Sequence, residues 1–301
     1  MAQEAEMDAQ AGRPLDDLEA VQETDFMFYL NGCHVSFPRI YDFGIRSGNY
    51  CMLLEYNCAH SLDYFIAKAK IQFDHELVRH ISRQLVEACE CLRQYNVVHC
   101  DIAPRNVLIM PLTGNIKLID FGKMRWSGTR FGMPNDMPLG TWAPEVRHAP
   151  MTCKADIYSV AVTIYMVAFS GKVPFHFTRD PDNENFLGFP DGAPFTMADF
   201  LTRTMCRQVV TRLSAEQALR HPFISAPVGP FNVDILMQVP YEFTEPKPEN
   251  EKFIGQYSTK FVQVLEALIA KRKQSISQFA RSYNLQQPFT SPKSSMTNLE
   301  Q

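Results

Sequence analysis

Val97-Val98-His99-Cys100-Asp101-Ile102-Ala103-Pro104-Arg105-Asn106-Val107-Leu108-Ile109-Met110, followed after a polar turn by Ile116-Lys117-Leu118-Ile119-Asp120-Phe121-Gly122, is the stretch on which the fold turns. Its two short apolar runs are joined by Pro111-Leu112-Thr113-Gly114-Asn115, the pattern of two strands around a turn. Three oxygen-bearing side chains sit beside those strands: Asp101, Asn106 five residues on, and Asp120 directly after the second run. Strand pairing would bring them together, and hard oxygens of this kind suit Mg²⁺ and phosphate chemistry. A β-hairpin with incidental acids is the bland alternative, but each half of the pattern supports the other.

His99-Cys100-Asp101 with Asn106, then Asp120-Phe121-Gly122, resembles the catalytic loop and the metal-binding loop of the eukaryotic protein kinases in order and spacing. The resemblance implies an α+β fold, with a mainly helical C-lobe and a β N-lobe that is incomplete here. It implies ATP and Mg²⁺ as cofactors and a protein hydroxyl as acceptor. Asp101 would accept the proton of that hydroxyl, while Asn106 and Asp120 would hold the metal ions that bridge the phosphates. Of the adenine side, Glu55 would serve through its carbonyl and Asn57 through its N–H, with Leu54 as gatekeeper and Leu108 as the pocket floor. Glu23, with Glu19 as its rival, stands where the family's regulatory helix carries the glutamate that pairs with a strand lysine.

Composition is that of an ordinary soluble globular protein, and the length permits one large domain or two smaller ones. The 301 residues are 46% hydrophobic and 21% charged, enough to bury a substantial core. A net charge of -4 with interspersed signs gives neither a nucleic-acid footprint nor a polybasic membrane anchor. The eight cysteines fall singly, several in apolar segments and without CxxC spacing, which reads as reduced thiols of a cytoplasmic or nuclear protein. The first thirty residues lack a basic start and an apolar signal core, so secretion is not expected. Ile157 to Phe169 is the most apolar run, too short for a bilayer and suited to a buried helix.

In chain order, residues 1–17 read as a flexible lead, 18–224 as the kinase-like domain and 225–301 as a C-terminal extension. The domain divides into a partial N-lobe over 18–56 and a C-lobe over 57–224. Apolar spacing predicts helices over Leu18 to Leu30 and Leu77 to Tyr95, and strands over Phe37–Gly44 and Tyr50–Tyr56. Lys123 to Leu139 reads as a surface loop. Gly140-Thr141-Trp142-Ala143-Pro144-Glu145 resembles the end of a kinase activation segment, with Arg212 the partner of Glu145 by position, and Asp156 resembles the aspartate that braces the catalytic loop. The extension holds a helix over 253–283 and a disordered Ser/Thr/Pro tail, the helix packing back on the domain or binding a partner.

The family pattern breaks at its phosphate grip. No GxGxxG occurs before Glu23, and no lysine precedes Lys68. Cys100 stands where the family carries arginine, which predicts no large activation by loop phosphorylation. Ala103 departs from the serine/threonine branch and Arg105 resembles the tyrosine branch. Ala215-Glu216-Gln217-Ala218-Leu219-Arg220-His221-Pro222-Phe223 resembles the serine/threonine branch again. The readings are therefore a phosphotransferase leaning to serine/threonine, a silent pseudokinase scaffold, or a truncated isoform without activity. Small-molecule kinases share the His-x-Asp pattern, and Ala143-Pro144-Glu145, Asp156 and Arg212 argue against them.

Overall fold

The computed structural model describes residues 13–14, 18–46, 49–55, 57, 59–130, 140–175 and 186–238. The chain divides into two units, Met1–Glu242 and Phe243–Gln301, and every described residue lies in the first. The helix expected over 253–283, the tail after it and the loop residues 131–139 fall outside the described residues.

The first sheet is small. Strand β1 (Arg13–Pro14) precedes helix α1 (Leu18–Tyr29), and then come β2 (Ile40–Arg46) and β3 (Asn49–Leu54). β2 and β3 pair antiparallel from Ile40↔Leu54 to Arg46↔Asn49, with an irregularity between Ile40 and Asp42. β1 lies along the other edge of β3, Arg13 opposite Tyr50 and Pro14 opposite Asn49. The stretch 1–17, expected as a lead without structure, thus contributes a strand. A strand of two residues has no alternation to read, so its pairing comes entirely from the edge it meets.

α1 buries Ala20, Glu23, Thr24, Phe26 and Met27, with Leu30 just beyond, the i, i+3, i+4 pattern of one apolar face. Strand β4 (His60–Ser61) and a π turn over Tyr64–Lys68 lead to α2 (His75–Gln94). Asp74 caps α2, its side chain accepting from the Leu77 N–H at 2.8 Å. Leu77, Ile81, Leu85, Ala88 and Leu92 are all fully buried along its length. Beyond α2 lie β5 (Val97–Val98), a 3-10 turn over Pro104–Asn106, β6 (Val107–Ile109), β7 (Ile116–Leu118) and β8 (Arg125–Trp126).

The two runs of the deciding stretch do pair: β6 and β7 are antiparallel from Val107↔Leu118 to Ile109↔Ile116, and β4 adds to β6. β8 pairs with β5, Val97 opposite Trp126 and Val98 opposite Arg125, so the segment expected as a plain loop holds a strand. That strand also meets α1, whose Phe26 and Tyr29 rings stand 5.4 and 5.2 Å from the ring of Trp126.

After a 3-10 turn at Pro144–Arg147 comes α3 (Cys153–Ala168), buried on nearly every side as its all-round apolar sequence requires. Helices α4 (Phe195–Thr204), α5 (Ala215–Leu219), α6 (Pro222–Ser225) and α7 (Asp234–Met237) complete the described part. The stretch from 225 to 238, assigned above to the extension, lies against α2. Arg83 donates to the carbonyls of Ile224 and Ala226, the Gly229 N–H donates to Glu76 at 2.7 Å, and Phe231 stacks on His80 at 4.8 Å.

Candidate active site

The loop between β5 and β6 is held from beneath by a single carboxylate. Asp156, in the first turn of α3, accepts the His99 N–H on Oδ2 at 2.7 Å and the Cys100 N–H on Oδ1 at 3.0 Å. With both amides drawn down, Cys100 takes a left-handed φ of 66° and the chain turns to present Asp101. Asp156 is fully enclosed. Burial pushes its carboxyl up to about 7, against the two N–H bonds that favour the ionised form.

Asp101 is itself buried, and its carboxylate meets a ring of donors. Oδ1 accepts from Arg105 Nη2 at 2.6 Å and from the indole Nε1 of Trp142 at 3.2 Å. Oδ2 accepts from Lys123 Nζ at 3.0 Å and from Asn106 Nδ2 at 3.1 Å. Burial works to raise this carboxyl, and the cations Arg105 and Lys123 more than offset it, leaving the group below its usual range.

Asn106 also ties its amide to the Asp101 carbonyl at 2.8 Å, and its own carbonyl takes the Ile119 N–H at 2.9 Å. That bond joins the loop carrying Asp101 to the segment carrying Asp120. Asp120 has a left-handed φ of 67° and an exposed side chain whose Oδ1 takes the Gly122 N–H at 3.4 Å. His99 lies within reach of the charge of both Asp101 and Asp120. Burial lowers its imidazole to about 4, which the two carboxylates oppose, so the ring is neutral at ordinary pH. The imidazole Nδ1 accepts the Asp101 N–H at 3.3 Å.

Among the described residues no group of three or more His, Cys, Asp or Glu side chains is placed to hold a metal by itself. Asn106 and Asp120 offer two hard oxygen ligands, the partial set that Mg²⁺ uses when substrate phosphates and water complete its octahedron. The residues present fit that ion.

On the expected adenine side, Glu55 N–H donates to the Arg39 carbonyl at 2.7 Å, which continues the β2–β3 pairing by one step. The Glu55 carboxylate takes the Arg39 N–H at 3.0 Å and the ammonium of Lys117, a buried residue of β7, at 2.9 Å. Burial tends to raise that carboxyl, and Lys117 with Arg39 brings it below its usual range. The Glu55 carbonyl already accepts the Asn57 side-chain amide at 3.2 Å. Leu54 is 37% exposed, and Leu108 is half-buried between the buried Val107 and Ile109. Glu23 is buried, with Oε1 accepting the Phe121 N–H at 3.3 Å, so α1 is fastened to the loop that carries Asp120.

Arg212 and Glu145 meet as two parallel bonds of 2.6 and 2.9 Å in the interior. Two residues that sequence reasoning missed, Lys123 and Trp142, stand directly on Asp101, and a third, Lys117, joins β7 to Glu55. Lys123 follows Gly122 and Trp142 precedes Ala143-Pro144-Glu145, so adjacency to the two motifs was the one signal available.

A protein kinase domain family model matches residues 6–224 of the chain. Myosin light chain kinase 3 of Mus musculus is 30% identical over 209 residues, covering 64% of this chain and 26% of that protein. Serine/threonine-protein kinase 17A of Oryctolagus cuniculus is 28% identical over 196 residues, 60% of this chain and 48% of that protein. Serine/threonine-protein kinase 10 of Danio rerio is 32% identical over 167 residues, 50% of this chain and 17% of that protein. The chain thus spans between 17% and 48% of the length of these relatives. Among solved structures, the Cydia pomonella granulovirus kinase superposes with a TM-score of 0.56 at 20% identity, covering 68% of this chain and 81% of that one. At that identity the likeness concerns the fold.

Proposed function

Because the chain belongs to the protein kinase domain family, we propose that it transfers the terminal phosphoryl group of ATP to protein hydroxyls, with serine and threonine preferred over tyrosine. The observation that carries this reading is the Asp101 carboxylate, buried, flanked by two cations and set on a loop pinned through Asp156. Asp101 accepts the proton of the acceptor hydroxyl as its oxygen attacks phosphorus, and the proton ends on a carboxylate oxygen. Asn106 and Asp120 would hold Mg²⁺, which would supply positive charge against the phosphates. Glu55, Asn57, Leu54 and Leu108 line the adenine side, and Glu23 ties α1 to the Phe121 amide. The names of the serine/threonine relatives support the acceptor class, against the tyrosine-like Arg105.

Free cysteines throughout the described residues support a reducing cytoplasmic or nuclear setting, and no described helix is long and apolar enough to cross a membrane. A second reading, a silent scaffold in which the same domain binds a protein partner, is favoured by the Asn57 amide that already occupies the Glu55 carbonyl. Calorimetry with Mg·ATP on this chain and on Asp120→Ala, paired with phosphate transfer to a generic protein substrate, separates the two. Phosphotransfer predicts binding that the variant weakens by tenfold or more, about 1.4 kcal/mol or above, and transfer that it abolishes. Equal binding by both proteins overturns the enzyme reading.

A further inference from the structure

An ionised carboxylate offers about four acceptor positions. On Asp101 the described residues fill all of them: Arg105 and Trp142 on Oδ1, Lys123 and Asn106 on Oδ2. A hydroxyl that is to give its proton to Asp101 must therefore displace a donor. Arg105 and Lys123 are cations and make the stronger, charge-assisted bonds. Asn106 is held twice, through Oδ2 and through the Asp101 carbonyl. Trp142 supplies the longest of the four contacts and the one whose donor is a lone neutral N–H, as an acceptor hydroxyl is.

Its surroundings also suit release. Just after Trp142 the chain is fixed: Ala143 is buried, its carbonyl accepts the Val146 N–H at 3.1 Å, and Glu145 is locked to Arg212. The indole lies against Lys123, whose Nζ is 5.2 Å from the ring centroid, so the two side chains cover Asp101 together. A turn of the Trp142 side chain alone would free one of the two acceptor positions on Oδ1, with Arg105 still bound at the other.

We infer that Trp142 gates the site, its indole N–H holding on Asp101 Oδ1 the position that the acceptor hydroxyl takes during phosphoryl transfer. The described conformation is the closed one, and acceptor binding exchanges one donor for another. This rests on the phosphotransfer reading above.

The contact and the gate are tested separately. In ¹⁵N-labelled protein the two indole N–H resonances are assigned with Trp126→Phe and Trp142→Phe. The Trp142 proton is expected to exchange with water more slowly than in free tryptophan, and Asp101→Asn to speed that exchange about tenfold, the scale of one hydrogen bond to a charged group. Rapid exchange of the Trp142 proton in the unaltered chain overturns the contact. Trp142→Phe keeps the ring beside Lys123 and removes only the donor. It is expected to raise kcat/KM for a protein substrate about tenfold, with Mg·ATP affinity unchanged. Intact Mg·ATP binding with kcat/KM unchanged or lowered overturns the gate alone. Absence of Mg·ATP binding in both proteins overturns the phosphotransfer reading, and the gate with it.

Discussion

Removing the Arg212 guanidinium gives the sharpest test of how the domain is held together. Arg212 is fully buried and meets Glu145, itself almost fully buried, in two bonds of 2.6 and 2.9 Å. It also donates to the Cys206 carbonyl at 2.8 Å and the Lys154 carbonyl at 2.9 Å, and lies 5.0 Å from the centre of the Tyr158 ring. Arg212→Met keeps most of the volume but strands the Glu145 carboxylate and takes a donor from the part-buried carbonyls of Cys206 and Lys154. Breaking one side of a buried pair costs about 3–5 kcal/mol, a large share of the 5–15 kcal/mol a domain commands. At about 2–4 °C per kcal/mol for a unit of this size, the melting temperature should fall by about 6–20 °C. Thermal unfolding followed by tryptophan fluorescence reads this. Adding Glu145→Gln removes the stranded charge and should recover part of the loss, with a coupling of about 1–3 kcal/mol. A fall below about 3 °C for Arg212→Met, or simple additivity in the double variant, refutes the argument that the pair matters through its burial.

Asp156 gives a pH signature. Its carboxyl is raised from 3.8 to about 7, so the folded state holds the proton more tightly than the unfolded state. Stability drawn from that proton is complete below about pH 4 and is lost as pH rises through 7. The melting-temperature advantage of the unaltered chain over Asp156→Asn should therefore shrink between pH 5 and pH 8, and a gap that widens refutes it. Asp74→Ala removes the α2 cap and the acceptor of the Asn232 N–H at 3.2 Å, and should cost about 1 kcal/mol, a drop of about 2–4 °C by thermal unfolding. Phosphomimetic Ser127→Glu and Thr129→Glu should leave phosphate transfer within about twofold, because Cys100 provides no cation for the added charge; a strong rise in transfer assays refutes this.

Much of the frame was legible from residues alone. The apolar spacing of Leu77 to Leu92 marked α2, and the two runs around Pro111–Asn115 marked β6 and β7, because a face buried against a core imposes its period on the sequence. The Asp156 brace and the Glu145–Arg212 pair followed from the family resemblance, and the geometry has both. β1 and β8 were not legible, since two residues carry no period and their pairing depends on which edge is open.

The sequence by itself singled out Asp101, Asn106 and Asp120 as candidates for chemistry, because their spacings are local enough to be read as motifs. What surrounds Asp101 was decided only in three dimensions. Lys123 arrives from 22 residues away, after the β6–β7 pair, and Trp142 from 41, after β8, and both meet one carboxylate. Lys117 reaches Glu55 across 62 residues in the same way. Helical and strand periods record which face of an element is buried. They do not record which side chains from separate elements converge on a single charge, and that convergence sets how many acceptor positions the Asp101 carboxylate keeps open.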